Sequence, residues 1–179
     1  MQMRWVLVML AASVLSACTG TPSGLDVVDD FDVDRYLGKW YEIARLDHRF
    51  ERGLDCVSAD YSLGNNGDIR VLNRGVNLAE GKVSQAEGRA RSRGEPDRGA
   101  LKVSFFGPFF SGYNIVMLDD EYRWAMVSGY NRNYLWLLAR EPEPDEAVIA
   151  TLVEQAARMG FDVQALIYVD QGSRCEPWR

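Results

Sequence analysis

The sequence predicts an all-β fold: an eight-stranded antiparallel up-and-down β-barrel with one C-terminal α-helix packed outside it. Three observations carry that expectation. From Val57 to Ala139 the chain alternates apolar and polar residues in short runs, each ended by a turn rich in Gly, Asn, Asp or Pro. Two aromatic-apolar stretches bracket this region, Tyr36-Leu37-Gly38-Lys39-Trp40-Tyr41-Glu42-Ile43-Ala44-Arg45 and Leu135-Trp136-Leu137-Leu138-Ala139-Arg140, and suit the first and last strands of one closed sheet. A single stretch of helical periodicity follows them.

The first strand passes through Trp40. In the next, Val57, Ala59, Tyr61 and Leu63 alternate with Ser58, Asp60 and Ser62, which marks one buried and one wet face. Asn65-Asn66-Gly67-Asp68 tolerates positive φ and turns the chain into Ile69–Gly75, where Val71 and Asn73 share a face opposite Arg70 and Arg74. Lys82–Arg91 sets Ala86, Gly88 and Ala90 against Glu87, Arg89 and Arg91, an apolar face so small that it leaves room inside. Past the turn at 94–99, Leu101, Val103 and Phe105 alternate with Lys102 and Ser104 until Gly107-Pro108 breaks the run. Tyr113–Leu118, Tyr122–Ser128 and Asn133–Ala139 complete the set. Closure removes the exposed edges, and about eight strands enclose room for one small ligand.

The helix starts at Pro144-Asp145-Glu146, a proline followed by first-turn carboxylates, and stops at Gly160. Val148, Ile149, Leu152, Val153, Ala156 and Met159 form its apolar stripe, which suits packing on the barrel's outer wall. The run Leu166–Val169 suits one further short strand at the sheet edge.

The totals narrow the function. A chain of 179 residues, 47% hydrophobic and 26% charged, suits one domain with a sizeable core, and a net charge of -6 argues against nucleic-acid binding. With cysteines only at 18, 56 and 175 and one histidine, no metal-ligand spacing is present and no cofactor is implied.

Residues 1–17 read as an export signal: Arg4 is the positive end, and Trp5–Ala12 is an apolar core too short for a mature span. Leu15-Ser16-Ala17-Cys18 resembles the bacterial lipobox, which implies a diacylglyceryl group on Cys18 and cleavage before it. The alternative is an ordinary signal peptide with an incidental cysteine. Thr19, where an aspartate would resemble the inner-membrane retention signal, implies the periplasmic face of the outer membrane. Residues 18–30 then serve as a lipidated flexible tether, and 31–179 form the barrel domain with its helix and tail. Export leaves Cys56 and Cys175 as one pair in an oxidising compartment, either bridged or present as two buried thiols.

Gly38-Lys39-Trp40-Tyr41, Leu54-Asp55-Cys56-Val57-Ser58-Ala59-Asp60-Tyr61, Val71-Leu72-Asn73-Arg74, Lys102-Val103-Ser104-Phe105-Phe106-Gly107-Pro108-Phe109 and Tyr134–Arg140 occur in an order that resembles the bacterial outer-membrane lipocalins, relatives of apolipoprotein D. The resemblance covers essentially all of the mature chain. It implies that Trp40 closes the barrel floor, that Arg140 stacks across it, and that Cys56 is bridged to Cys175 in the C-terminal tail. The family's T-D-Y motif is met only in part, by Asp119-Asp120-Glu121, which leaves the register of the following strand open.

Parity from Arg140 then points Leu138, Trp136 and Tyr134 inward, with Ala59, Tyr61, Gly88, Ala90, Val103 and Phe105 from other strands. Asn114 with Val116, and Ala125 with Val127, complete the expected lumen, while Trp124 and Met126 face outward beneath the helix. The function implied is binding of a fatty acid, lysophospholipid or similar lipid for storage or transport in the cell envelope. His48, beside Asp47 and Arg49 in the loop after the first strand, reads as an ordinary polar residue, so no catalytic residue is assigned and the chain is not expected to be an enzyme. Two other readings stand: an envelope interaction lipoprotein with a filled barrel, and a lipid-modifying enzyme of the same fold. Phe109, Phe110 and Tyr130 suit either a homodimer contact or a membrane-facing rim.

Overall fold

The computed structural model describes residues 19–64 and 66–179, so the expected signal segment and Cys18 lie outside the described residues. A short helix α1 (Val33–Tyr36) precedes eight strands: β1 (Gly38–Arg45), β2 (Asp55–Leu63), β3 (Ile69–Asn77), β4 (Lys82–Ser92), β5 (Ala100–Phe106), β6 (Phe109–Leu118), β7 (Trp124–Ser128) and β8 (Leu135–Ala139). Helix α2 (Glu146–Arg158) and a two-residue strand β9 (Ile167–Tyr168) follow. Each strand pairs antiparallel with the next, and β1 pairs with both β2 and β8, which closes the meander into a barrel.

Two apolar clusters divide the molecule as the alternation requires. Inside lie Trp40, Tyr61, Val71, Ala90, Leu101, Ile115, Ala125, Val127 and Leu138. Outside, Leu152 and Ala156 of α2 cover Ala44, Val116, Met126, Leu135 and Leu137. The helix therefore sits where the opposite faces of β1, β6, β7 and β8 are also apolar. Those strands are buried on both sides and lack the wet face of β2.

At one end the barrel is sealed. Trp40 is fully buried, and its indole donates to the Tyr36 carbonyl at 2.8 Å. The Arg140 guanidinium lies 4.0 Å from the Trp40 ring centroid and donates to the carbonyls of Lys39 (2.9 Å) and Arg35 (2.8 Å). Gly38 adopts φ +92° with an Arg140 nitrogen 3.4 Å from where a Cβ would stand, so the G-x-W glycine allows both the turn of the chain and the guanidinium. Asp32 caps α1 by accepting from the Asp34 amide at 2.9 Å, and this turn lays Tyr36 on Trp40, ring centroids 4.8 Å apart. The partial T-D-Y motif forms a tight turn. Asp119 accepts from the Glu121 and Arg123 amides, and β7 enters in register with Trp124 opposite Ala139.

At the other end, the mouth, β1 and β2 diverge after Tyr41 pairs with Ser58. The C-terminal tail fills the seam. β9 pairs with Ala44 and Arg45, the Cys56 amide donates to the Asp170 carbonyl, and the Gln171 side chain donates to the carbonyls of Glu42 (2.9 Å) and Val57 (2.7 Å). The Cys56–Cys175 disulfide, spanning 119 residues, locks the tail there.

Residues 19–30, expected as a flexible tether, lie against the barrel. Thr21 bonds Asn114, and the Val28 amide donates to the Ile115 carbonyl at 2.9 Å. This contact also corrects the parity of β6. Asn114 and Val116 face outward: Asn114 is bonded to Thr21, Arg93 and the carbonyls of Gly20 and Gly129, and Val116 packs in the cluster under α2. Tyr113 and Ile115 take the inner positions, opposite Leu101 and Val127. Register shifts between Val103 and Phe106 and between Ile115 and Met117 break the simple count along the chain.

A loop of this length carries a chain-entropy contribution of about 4 to 5 kcal/mol as an upper figure. Cys175→Ser is expected to lower the thermal midpoint under oxidising conditions by on the order of 10 °C. With reductant present, wild type and variant should melt together in differential scanning calorimetry, and an equal gap under both conditions would contradict the role of the bridge.

Candidate ligand-binding site

Between the sealed floor and the mouth lies a partly open cavity of about 80 Å³. Its apolar walls are Val57, Ala59, Val71, Val103, Phe105, Val127, Trp136 and Leu138, and Tyr61 and Tyr113 stand at its foot. The Tyr113 hydroxyl lies 2.8 Å from that of Tyr61 and 2.7 Å from that of Tyr36, so three buried phenols satisfy one another above the floor. Burial drives the Tyr36, Tyr61 and Tyr113 hydroxyls above the usual tyrosine range, which keeps all three neutral.

Of the residues assigned to the lumen by parity, Ala59, Tyr61, Val103, Phe105, Val127, Trp136 and Leu138 border this space. Gly88, Ala90, Asn114, Val116, Ala125 and Tyr134 do not, Ala125 being packed in the inner cluster. Gly88 faces inward, but the Phe105 ring lies on it, Cδ1 only 2.7 Å from where a Cβ would stand, and fills the volume that its small side chain leaves. Ala90 is buried in the inner cluster away from the cavity wall. Tyr134 precedes β8 and forms the rim, its ring 6.2 Å from Trp136 and 5.5 Å from Tyr130. Asn114 and Val116 lie on the outer face, as described above.

The polar part of the site was not visible in the pattern. Glu42 of β1 and Glu51 of the β1–β2 loop both line the cavity, with Ser58 and Asn73. A bulge between Glu42 and Ala44 turns Arg45 to the same side as Glu42, which it meets at 2.8 Å. Arg45 also donates to the carbonyls of Glu51 (2.7 Å) and Leu54 (3.3 Å), and so holds the loop across the mouth. Glu51 accepts from the Trp136 indole at 3.2 Å and lies 3.0 Å from His48 Nε2. His48 is therefore no exposed loop residue: it is buried, with its ring 5.2 Å from Trp136. On the Asn73 side, Oδ1 is buried without a hydrogen-bond partner.

The two carboxyls divide their protons. Burial pushes Glu42 well above the usual range, the Glu51 charge adds to this, and Arg45 offsets only part of it. Burial also acts on Glu51, but hydrogen bonds from His48, Glu42 and Trp136 outweigh it and leave its carboxyl below the usual value. One proton on Glu42 and one negative charge on Glu51 make the low-energy state of the pair.

A closed eight-stranded barrel with an aromatic-sealed floor, an apolar interior and an outer helix defines the lipocalins. The chain belongs to that family: residues 31–171 match the lipocalin-like domain. It is 52% identical over 163 residues to outer membrane lipoprotein Blc of Escherichia coli (strain K12), covering 90% of this chain and 92% of that protein. Outer membrane lipoprotein Blc of Vibrio cholerae is 46% identical over 170 residues, covering 94% and 99%. Apolipoprotein D of Mus musculus is 30% identical over 166 residues, covering 89% and 85%.

A carboxyl whose folded value is raised contributes stability that is full below its unfolded value, near 4.5 for Glu42, and that is lost as pH rises through the folded value. Wild type is thus expected to lose stability progressively as pH rises above about 4.5, whereas Glu42→Gln, a permanent neutral mimic, should show a flatter profile. Thermal unfolding of both across that range checks this, and parallel curves would place the proton elsewhere.

Proposed function

We propose that this protein is a lipid-anchored lipocalin of the cell envelope that binds a single-chain lipid, a fatty acid or lysophospholipid, tail-first in its barrel for storage or transport. One observation carries the reading: the interior is a one-ended cavity, sealed by Trp40 and Arg140, with apolar walls and its carboxyl groups near the mouth. An acyl tail of about 16 carbons buried there offers roughly 12 kcal/mol gross, enough for micromolar to nanomolar binding after ordering and association costs. Its polar head would meet Glu42, Glu51, His48 and Tyr134. The Leu15–Cys18 motif and the naming of two relatives as outer membrane lipoproteins support anchorage through Cys18 at the periplasmic face of the outer membrane.

The size of the cavity sets a condition on this reading. About 80 Å³ is well below the roughly 300 Å³ at which small-molecule pockets begin. A whole tail enters only if Phe105 leaves Gly88 and the loop carrying Glu51 yields. The same number favours a second reading, an interaction lipoprotein whose barrel is filled by its own side chains.

Mass spectrometry of lipids extracted from protein purified without detergent separates the two. A bound single-chain lipid at near-stoichiometric amount supports the carrier, and an empty barrel that also fails to take up a fluorescent fatty acid supports the filled one. In the carrier, Phe105→Ala should tighten fatty-acid binding several-fold by enlarging the cavity. Trp136→Asp, which sets a second charge beside Glu51, should abolish binding while circular dichroism still reports the barrel.

A further inference from the structure

The strands that α2 leaves uncovered, β3 to β5, carry a register on their outer face that costs stability. Arg70 stands directly across from Arg89 between β3 and β4, and Arg91 directly across from Lys102 between β4 and β5. Like charges directly opposite in adjacent strands repel, so a face free of other demands would alternate in sign. Only part of this charge is answered from within. Glu87 pairs with Arg70 at 2.8 Å and Asp68 with Arg91 at 2.6 Å, whereas Arg89 and Lys102 form no ion pair among the described residues. The ring of Phe110 on β6 gathers them instead. Lys102 stands 5.1 Å, Arg89 5.5 Å and Arg91 6.0 Å from its centroid. The aromatic face offsets part of the repulsion and holds three cations within reach of one small anion.

Arg89 also borders a groove of about 290 Å³ on the same wall, shared with Leu63, Asp68, Arg70 and Glu87. Its carboxylates and guanidiniums are fixed by two-pronged pairing, Arg70 on Glu87 and Arg91 on Asp68. Each carboxylate keeps lone pairs that its arginine does not use, and each guanidinium keeps N–H donors, so the groove suits a ligand rich in hydroxyls. Leu63 apart, the exposed large apolar side chains project at the mouth and not from this wall. A protein partner would therefore find no apolar centre to bury here. With a net charge of -6, the chain as a whole repels a long polyanion, whereas a single phosphate meets only the local cations.

We infer that this outer wall binds a phosphorylated saccharide, with the phosphate on Arg89 and Lys102 and the sugar hydroxyls in the groove lined by Asp68 and Glu87. The site is separate from the barrel cavity, because Gly88 and Ala90 face inward where Arg89 and Arg91 face outward. It therefore does not rest on the carrier reading and stands whether the barrel holds a lipid or is filled by its own side chains.

Isothermal titration calorimetry of the full-length lipidated protein in detergent, at low ionic strength, tests this with glucose 6-phosphate as the probe. Glucose, inorganic phosphate and glycerol 3-phosphate serve as comparisons. Glucose 6-phosphate should bind about tenfold more tightly than any of the three, and added salt should weaken it. The double variant Arg89→Gln/Lys102→Gln should lose about tenfold in that affinity while its fatty-acid binding matches wild type. Its thermal midpoint should equal or exceed that of wild type, because both opposed like-charge pairs are removed. A lower midpoint, or an unchanged affinity in the variant, overturns the proposal. Inorganic phosphate binding as tightly as the sugar phosphate also overturns it, as an adventitious ion only. Tighter binding of glycerol 3-phosphate does so too, by assigning the wall to a lipid headgroup. No response to glucose 6-phosphate, with salt-sensitive self-association that the variant lacks, assigns it to a second copy and overturns the proposal as well.

Discussion

Every part of this fold depends on β1 being hydrogen-bonded along both of its edges. A sheet that curls round leaves its first and last strands to satisfy each other, and any residue that fails to find a partner there exposes backbone donors and acceptors to the interior. β1 meets the demand with three partners: β8 on one side, and β2 followed by β9 on the other. Its bulge between Glu42 and Ala44 is the local adjustment that makes this possible, and it places Glu42 and Arg45 on one side. The polar character of the mouth is thus a by-product of how the cylinder closes.

The two ends use the same residue types in opposite ways. At the floor, Arg140 donates to backbone carbonyls and stands over an indole, so a cation seals an apolar volume without an anionic partner among the described residues. At the mouth, Arg45 meets one carboxyl and two carbonyls, and a second carboxyl stands close by. Two buried carboxyls beside one guanidinium are stable only if one keeps its proton, which is why Glu42 and Glu51 are displaced in opposite directions. The floor is built to stay shut, and the mouth is held by groups whose charge depends on their surroundings.

Much of this was legible in the residues. Strand alternation and turn chemistry located the eight strands, the G-x-W stretch and Arg140 located the floor, and the stripe ending at Gly160 located the outer helix. On β2, β5 and β8 the period of two also picked the walls of the cavity, at Ala59, Tyr61, Val103, Phe105, Trp136 and Leu138. What failed was counting through irregularities. Asn114 and Val116 were carried inward because nothing in Gly112-Tyr113-Asn114-Ile115 announces the register shifts on either side of it. Gly88 was read as vacant space, but the volume beside a glycine is set by the opposing side chain, here Phe105 from the neighbouring strand. Glu42 and Glu51 were passed over because a carboxylate in an alternating strand or a loop ordinarily marks the wet side. Only a partner such as Arg45 or Trp136, far away in sequence or turned by a bulge, reverses that.

The Gln171 amide shows how much of the rim is held from outside the cylinder. It supplies two hydrogen bonds to the carbonyls of Glu42 and Val57, where the strands themselves have parted. A chain ending after Tyr168 would keep all eight staves and the whole greasy interior. It would lose the clasp that spans the gap, leaving two orphaned acceptors and a slot through which water reaches the acid pair from the flank. The last few residues thus decide whether the vessel has one opening or two.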